Sequence, residues 1–536
     1  MFHSRAIRYL LVNLAVAVLA ATLALCPSKA SADSISEVQS KSFISPISAA
    51  KTLESLMNYS PVLKTWVNAV WNKYSLDKSW IDDNGGEQKV WAYADRHSIS
   101  PGEALTIFLS VKPGSGDVNG FLRISRLSGQ GNKPLEELVL LTEARTIGSQ
   151  IVRPEASIIG AGWTNGVKID ATRGWKSGFY VADFVYSNGK TEPNAVSFVV
   201  KPQVKQGDIL VKIETNTLQA YNFWGGFSLY KSFTDGDYSS MVSFDRPTHL
   251  YTDHDPFFSI PWLETYAQAR GLKLDYISDF DLSTDPTVLD GYKLFVAGGH
   301  DEYWTKEMYD AVENRIFVKG RNVLFLGANT AYWQVRYVDV NQSPNGPFMG
   351  RQMICYKTYR NVTDPIAQRF AKPTDALLWA TGLFRLASRR PESMLIGIAY
   401  QNWFEWEKPG YDYSVVNADL PFFQDTGLKA GDKLAGLVGY EWDNRDPDGD
   451  GNQLWDVAKS LNKRIPAESI RVLFDSNPVG ADHKPGKAES VYWESPAGAK
   501  VFSSGTVWWS RGMTKPGVAT PQLDLLNKNL FDYMLK

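Results

Sequence analysis

A strand–helix–strand pattern in the middle of the chain most restricts the folds open to it. The sequence predicts a buried strand at 292–297, a helix at 306–318 and a second buried strand at 322–326. Two apolar runs of strand length joined by a helix form a βαβ unit, whose strands lie parallel in one sheet. We therefore predict an α/β domain with a parallel sheet, and we place it at residues 204–536.

A different pattern precedes this domain. Between about residues 91 and 201, short runs of alternating apolar and polar residues are separated by Gly, Pro and Asn. This pattern is typical of an antiparallel β-sandwich. The predicted fold class is thus an α+β multidomain protein, in which a β-sandwich at 89–203 comes before the α/β domain. Residues 33–88 are predicted to form an N-terminal helical segment.

The first 32 residues have the composition of a secretory signal peptide. Arg5 and Arg8 form a short positive region, an apolar run covers residues 10–25, and small residues end at Ala32. This order predicts cleavage after Ala32 and export to the periplasm or the exterior, with no membrane contact after cleavage. A membrane anchor is the alternative, although the apolar run is shorter than the ~20 residues that a bilayer-spanning helix needs.

Charge and cysteine content argue against two classes of function. The chain has 56 Lys and Arg against 58 Asp and Glu, a net charge of −2, and loss of the leader would make it −5. This balance gives no electrostatic attraction to nucleic acid, so we predict no nucleic-acid partner. After cleavage, Cys355 would be the one remaining cysteine. It is predicted to be a buried residue of a strand rather than a nucleophile.

Polar residues follow both strands of the predicted βαβ unit. His300, Asp301 and Glu302 come after the first strand, and Asn329 comes after the second. Ligands bind beyond the carboxyl ends of parallel strands, so these residues should meet in one crevice. They include the types that bind metals and transfer protons. Alternatively, the two acids simply begin the helix that follows them, because acids favour helix N-termini.

Three motifs in this order resemble those of one known family. They are Ala-Tyr-Asn-Phe-Trp-Gly-Gly at 220–226, Gly-His-Asp-Glu-Tyr-Trp at 299–304 and Gly-Ala-Asn-Thr-Ala-Tyr-Trp-Gln at 327–334. Together they resemble the large (beta) subunit of N,N-dimethylformamidase and its relatives, from about residue 91 to the C-terminus. The resemblance implies a β-rich domain followed by an α/β domain like that of class I glutamine amidotransferases, which has a flavodoxin-like fold.

The resemblance also implies a mononuclear iron site. Its metal ligands would be Glu302, Tyr221 in the first motif, and Tyr180, whose separation from Tyr221 matches the family. Three anionic oxygen ligands suit Fe(III). His300 and Asn329 would be the catalytic residues, the first moving a proton and the second orienting the carbonyl or the developing oxyanion. For Tyr180 the alternative is an ordinary tyrosine of the β-sandwich.

The function that the resemblance implies is hydrolysis of the C–N bond of a small amide. The iron would act as a Lewis acid and would activate water. The family's enzyme works with a separate small subunit, so we expect a small subunit or a homo-oligomer as partner. A non-catalytic periplasmic ligand-binding protein on the same fold is the alternative, and it would not depend on the iron ligands.

An acidic loop near residue 450 resembles the start of a calcium-binding loop. Asp446, Asp448 and Asp450 alternate with other residues and are followed by glycine, so three carboxylates could surround one ion. The twelfth position of the loop is Val457, where such loops carry a bidentate glutamate. The segment is therefore either a calcium site or a solvated polar loop.

Two further segments each allow two interpretations. His254, between Asp253 and Asp255, belongs either to a turn that begins a helix or to a group of metal ligands. Trp508 and Trp509 belong either to the core or to the lining of a cleft.

Overall fold

The computed structural model describes residues 88–153, 156–205, 207–229, 239–248, 254–338, 350–357, 364, 366, 378–445 and 464–536. The predicted signal peptide, the predicted helical segment before residue 88 and the proposed calcium ligands Asp446, Asp448 and Asp450 lie outside these residues. No helix in the ranges above is long and apolar enough to cross a lipid bilayer.

The first part of the described chain consists mainly of strands. They are β1 (Val90–Ala94), β2 (Ser98–Ile99), β3 (Leu105–Val111), β4 (Val118–Gln130), β5 (Lys133–Leu141), β6 (Arg145–Ile147), β7 (Gly166–Ile169), β8 (Gly178–Tyr186) and β9 (Thr191–Val200), with a short helix α1 (Ala156–Ile159). One sheet has the order β1-β3-β7, and another has the order β2-β9-β8-β4-β5, with β6 beside β4. Alternate residues of both sheets, among them Ile107, Leu122 and Phe198, share one apolar cluster.

The second part combines strands with helices. The strands are β10 (Ile209–Ile213), β11 (Met241–Ser243), β12 (Leu274–Ser278), β13 (Leu294–His300), β14 (Tyr303–Thr305), β15 (Asn322–Ala328), β16 (Trp333–Val338), β17 (Gln352–Ile354), β18 (Gly382–Leu383), β19 (Ala399–Trp403), β20 (Tyr411–Val415), β21 (Lys433–Val438), β22 (Glu441–Asn444), β23 (Arg471–Ser476), β24 (Ala488–Glu494) and β25 (Lys500–Ser503). The helices are α2 (Thr215–Ala220), α3 (Pro256–Arg270), α4 (Asp279–Thr284), α5 (Lys306–Phe317), α6 (Phe384–Ala387), α7 (Ser393–Ile396), α8 (Arg511–Thr514) and α9 (Pro521–Met534).

A nine-stranded sheet organises this second part, with the order β12-β10-β13-β15-β25-β24-β23-β20-β21. The first five strands are parallel, and the others join them antiparallel. Numbered along the chain, the parallel strands have the order 2-1-3-4-5. Helices α3 and α9 pack on one face of this sheet and share one apolar cluster, whereas α5 packs on the other face and belongs to a second cluster. The predicted parallel βαβ unit is confirmed as β13, α5 and β15, and the coarse prediction of an α+β protein is confirmed with it.

Lys212, Asp279 and Asp301 form a fully buried ion cluster next to the end of β13. The Lys212 ammonium, on β10, is 2.5 Å from Asp279 Oδ1 and 2.7 Å from Asp301 Oδ1, and none of the three side chains is more than 1% exposed. Burial alone would lower the pKa of Lys212, but the charges of Asp279 and Asp301 outweigh it and raise this pKa. The lysine therefore stays charged and joins β10, the start of α4 and the turn after β13.

Candidate active site

The predicted site residues sit where the order of the parallel strands reverses. From β10, the chain continues to β12 on one side, whereas β13 lies on the other. Helix α2 comes after β10, and Tyr221 is the first residue after this helix. His300 is the last residue of β13, and Glu302 comes two residues later. Asn329 is the first residue after β15. A crevice at the carboxyl ends of such strands is the usual ligand site of open α/β sheets.

Three of the predicted residues meet at one carboxylate oxygen. The Tyr221 hydroxyl donates to Glu302 Oε2 at 2.6 Å, and His300 Nε2 lies 3.2 Å from the same oxygen. The Glu302 side chain is 3% exposed. Its backbone amide donates to Thr217 Oγ1 at 3.0 Å, so α2 fixes the turn that carries the carboxylate.

Two further residues of the site come from the segment around β22, which no sequence motif had marked. Glu441 Oε2 lies 3.0 Å from His300 Nε2 and accepts a hydrogen bond from Asn329 Nδ2 at 2.8 Å. Tyr440 Oη and His300 Nδ1 are 2.7 Å apart. We call Tyr221, His300, Glu302, Asn329, Tyr440 and Glu441 the His300 cluster. The sequence contains one signal for Glu441. Glu441 and Asp443 are two residues apart, so in a strand their side chains lie on the same side.

Charges within the His300 cluster decide where its protons lie. Burial would lower the pKa of His300, but the nearby Glu441 and Glu302 carboxylates outweigh it and raise this pKa to about 10. Burial would raise the pKa of Glu302, yet His300 and the neighbouring groups keep it below its ordinary value. Burial and the charges of Glu302 and Glu441 raise the pKa of Tyr221. At neutral pH the cluster thus holds an imidazolium between two carboxylates, beside a neutral phenol.

The tip of β15 has an unusual backbone. Asn329 has φ of 54° and Ala331 has φ of 56°, both in the left-handed region that few non-glycine residues adopt. Asparagine tolerates this region better than most residues. The Asn329 amide N–H donates to Asp443 Oδ1 at 2.8 Å, and burial raises the pKa of Asp443 to about 7. The sharp turn therefore aims the Asn329 side chain at β22.

The structure does not bring Tyr180 to the His300 cluster. Tyr180 is 1% exposed, its hydroxyl donates to the Lys176 carbonyl at 2.8 Å, and its ring stacks on Trp175 and Phe198. Burial raises the pKa of its phenol, as it does that of Tyr221, so the partners of the two hydroxyls, and not their pKa values, distinguish the residues. The structure thus gives Tyr180 the position of an ordinary core tyrosine, which was the alternative to the ligand role implied by the resemblance.

This placement predicts different results for two Tyr→Phe variants. We expect Tyr180→Phe to lose one hydrogen bond, at about 1 kcal/mol of unfolding free energy, and to keep the metal content of the wild type. Tyr221→Phe should lose the iron that the resemblance implies. Metal analysis of both purified variants, with urea unfolding as a check of folding, measures the difference. Loss of iron from Tyr180→Phe would instead support the ligand set implied by the resemblance.

A buried arginine holds the loop that follows Tyr221. Arg246 is fully buried and donates to the carbonyls of Trp224, Phe227 and Gln219. Burial lowers the pKa of Arg246 to about 9. Its hydrogen bonds fix the turn of the first motif and, with it, the position of Tyr221.

We therefore expect Arg246→Met to lower the free energy of unfolding by about 3 kcal/mol, because several buried carbonyls lose their donor. Urea unfolding measures the change. Arg173→Met, at an exposed position, is the matched control and should change stability by less than about 0.5 kcal/mol. Equal stability of the two variants would show that Arg246 does not hold this loop.

A cavity of about 650 Å³ opens beside the His300 cluster. Its lining includes Tyr221, His300, Tyr440 and Glu441, and aromatic residues form much of the remaining wall: Phe223, Phe258, Trp403, Phe404, Trp406 and Trp508. The two interpretations of the Trp508–Trp509 pair therefore both hold. Trp508 lines the cavity, whereas Trp509 is fully buried in the core.

Two other segments match the structural interpretation of the sequence, namely a buried cysteine and a turn that begins a helix. Cys355 is 1% exposed, and burial raises the pKa of its thiol to about 12, so the structure agrees with a buried residue and not with a nucleophile. Asp255 directly precedes α3, which begins at Pro256, so the segment around His254 is a turn that begins a helix.

The iron implied by the resemblance can be tested against the residues present. Among the described residues, no three His, Cys, Asp or Glu side chains are arranged to hold a metal ion. Tyr221 Oη and Glu302 Oε2 are nevertheless 2.6 Å apart, and both are hard oxygen donors of the kind that Fe(III) prefers. These two residues fit the ion, whereas Tyr180 has other partners.

Comparison with known proteins identifies one family. The chain matches the family model described as N,N-dimethylformamidase beta subunit-like, C-terminal, over residues 128–522. No curated protein matches the chain.

Matches to solved structures are weak. The sporulation control protein Spo0M from Bacillus subtilis is 13% identical, with a TM-score of 0.14, over 22% of this chain and 49% of its own. A cycloisomaltooligosaccharide glucanotransferase from Paenibacillus sp. is 13% identical, with a TM-score of 0.15, over 50% of this chain and 34% of its own. A beta-glucosidase from Listeria innocua is 12% identical, with a TM-score of 0.14, over 21% of this chain and 16% of its own. The chain spans less than half of each of these proteins, and TM-scores this low carry no argument.

Proposed function

The chain belongs to the N,N-dimethylformamidase beta subunit-like family, and from this premise we propose that it is an iron-dependent amidohydrolase that cleaves the C–N bond of a small amide. One observation carries the proposal. Tyr221 Oη and His300 Nε2 both lie within 3.2 Å of Glu302 Oε2, and Tyr221 and His300 line a large cavity. This arrangement offers oxygen ligands for iron beside a group that holds a proton.

Each residue of the His300 cluster has a distinct part in this proposal. Iron held by Tyr221 and Glu302 would polarise an amide carbonyl and activate water. His300 holds a proton between two carboxylates and would give it to the leaving amine. Tyr440, 2.7 Å from Nδ1, orients the imidazole ring. Glu441 keeps the ring protonated.

Asn329 acts as a positioning residue in this proposal. Its Nδ2 already donates to Glu441, 2.8 Å away, so the amide would fix that carboxylate rather than bind the substrate carbonyl. The left-handed turn at Asn329 supports this role, because it directs the side chain toward β22.

The first test is metal analysis and an absorption spectrum of protein purified without added metal. We expect about one iron per chain and a visible band, since tyrosinate bound to Fe(III) absorbs visible light. Amine release from N,N-dimethylformamide and N-methylacetamide then tests hydrolysis. Iron-free protein that also fails to bind added iron would contradict the proposal. It would favour the alternative, a periplasmic ligand-binding protein with an aromatic cavity.

We infer a finer fold and setting from the same premise. The parallel order 2-1-3-4-5 supports a flavodoxin-like domain of the class I glutamine-amidotransferase type. The two sheets that share the cluster around Ile107 support a preceding β-sandwich. We further propose that the protein is exported after cleavage at Ala32, which N-terminal sequencing of the mature protein would test. A match to a beta-subunit-like family also supports a partner subunit or an oligomer.

A further inference from the structure

We propose that the cavity contains a second subsite, formed by Glu214 and Asp255, which binds a protonated amine carried by the substrate. This inference rests on the proposed amidohydrolase function. It names the class of amide that the site takes, namely an amide whose chain also bears an ammonium group.

Two acids from different elements stand together at the wall of the cavity. Glu214 follows β10, and Asp255 precedes α3, and both line the cavity with Tyr221 and His300. The tip of β13 lies between them. A Cβ atom added to Gly299 would lie 2.8 Å from Glu214 Oε1 and 2.6 Å from Asp255 Cβ, and Gly299 has φ of 71°. Only glycine allows the two carboxyl groups to approach this tip so closely.

Neither acid forms a direct ion pair in the described part of the chain. Glu214 is 4% exposed and forms no side-chain hydrogen bond to cap α2. Asp255 accepts hydrogen bonds from the Ser259 and Ser510 side chains, but its Oδ1 has no partner among the described residues. Of two cations near these acids, Lys212 is bound by Asp279 and Asp301, and Arg511, which lines the same cavity, lies over the Trp508 ring.

An unpaired buried carboxylate is costly, so such a group either binds a proton or finds a cation. Burial and the neighbouring Asp255 raise the pKa of Glu214 well above its ordinary value. Burial raises the pKa of Asp255 to about 6. A cation that enters the cavity would displace the proton that Glu214 holds and would contact both carboxylates.

The shape of the cavity favours an organic ammonium group as this cation. A volume of about 650 Å³ is within the range of roughly 300–1,000 Å³ that holds drug-sized ligands, and it far exceeds the need of the smallest amides. Phe258 and Phe404 line the same space, whereas the ring of Trp508 is already covered by the Arg511 guanidinium. Carboxylates combined with aromatic rings are the usual partners of amines in proteins. The amide would lie at the His300 cluster and the amine at Glu214 and Asp255.

Calorimetric binding to the intact protein tests this subsite without requiring turnover. The probes are N-(4-aminobutyl)acetamide, which carries an ammonium group, and N-pentylacetamide, in which a methyl group replaces it. We expect the charged probe to bind at least tenfold more tightly at pH 7.5. Homologues of the charged probe, with two to six methylene groups between the amide and the amine, would show which chain length binds most tightly.

Three variants make the test specific. Glu214→Gln and Asp255→Asn should each reduce the preference for the charged probe to less than threefold, with unchanged binding of the neutral probe. Glu468→Gln, at an exposed position, is the matched control and should keep the full preference. Thermal unfolding checks folding, and if Asp255→Asn does not fold, Glu214→Gln decides alone.

The two proposals fail in different ways. Equal binding of the two probes would overturn the amine subsite, and so would a preference for the charged probe that survives Glu214→Gln. Either result would do so even if the protein hydrolyses N,N-dimethylformamide and N-methylacetamide. Charge-selective binding that depends on Glu214, in a protein that hydrolyses no amide, would support the subsite and contradict the proposed function.

Discussion

Glu302→Gln is expected to abolish iron binding and to lower kcat/KM for amide hydrolysis by a factor on the order of 10³ or more. The substitution keeps the size of the side chain and removes its charge. Glu302 Oε2 is the atom that both the Tyr221 hydroxyl and His300 Nε2 approach, so its loss removes a proposed metal ligand and a partner of the imidazole. Metal analysis and the visible spectrum measure the loss of iron, and steady-state kinetics measure the fall in kcat/KM.

Two comparisons make this result interpretable. Glu468→Gln, at an exposed position, should retain iron and activity. Glu441→Gln should retain iron, because Glu441 contacts His300 and Asn329 but neither proposed ligand, and should lower kcat through His300. An active, iron-containing Glu302→Gln variant would show that the reaction centre lies elsewhere.

Lys212→Met should destabilise the protein by about 3–5 kcal/mol, or prevent its accumulation as folded protein. The methionine fills a similar volume but leaves Asp279 and Asp301 buried without a counter-charge. Urea unfolding followed by tryptophan fluorescence measures the loss.

A compensated variant tests the cause of this loss. When Asp279→Asn and Asp301→Asn are added to Lys212→Met, most of the lost stability should return, because no uncompensated charge remains. Lys168→Met removes an exposed ion pair with Asp170 and should change the free energy of unfolding by less than about 1 kcal/mol. If the triple variant is no more stable than Lys212→Met, packing rather than charge dominates at this position.

The sequence predicted the parallel sheet and three residues of the site from local patterns. Apolar runs that end in glycine placed His300, Glu302 and Asn329 at strand tips, and parallel strands bring their tips to one edge. Glu441 escaped prediction because it lies within a strand more than a hundred residues away in sequence. Only the three-dimensional fold brings β22 against the end of β15.

Tyr180 shows why spacing alone cannot assign a ligand. Side chains of a strand point alternately to its two sides, so a shift of one residue reverses the direction. In β8, Phe179 and Val181 belong to the apolar cluster of the nine-stranded sheet, whereas Tyr180 belongs to the cluster that the two sheets of the first part share. The separation of 41 residues from Tyr221 contains no information about this direction.

The position of β25 has a consequence for how the protein is made. This strand lies fifth among nine in the sheet, between β15 and β24, yet it is formed by residues close to the C-terminus. Until Lys500–Ser503 has left the ribosome, β15 and β24 expose open edges whose backbone groups can pair with other chains. We expect chains that end before β25 to aggregate rather than to accumulate as a smaller folded domain.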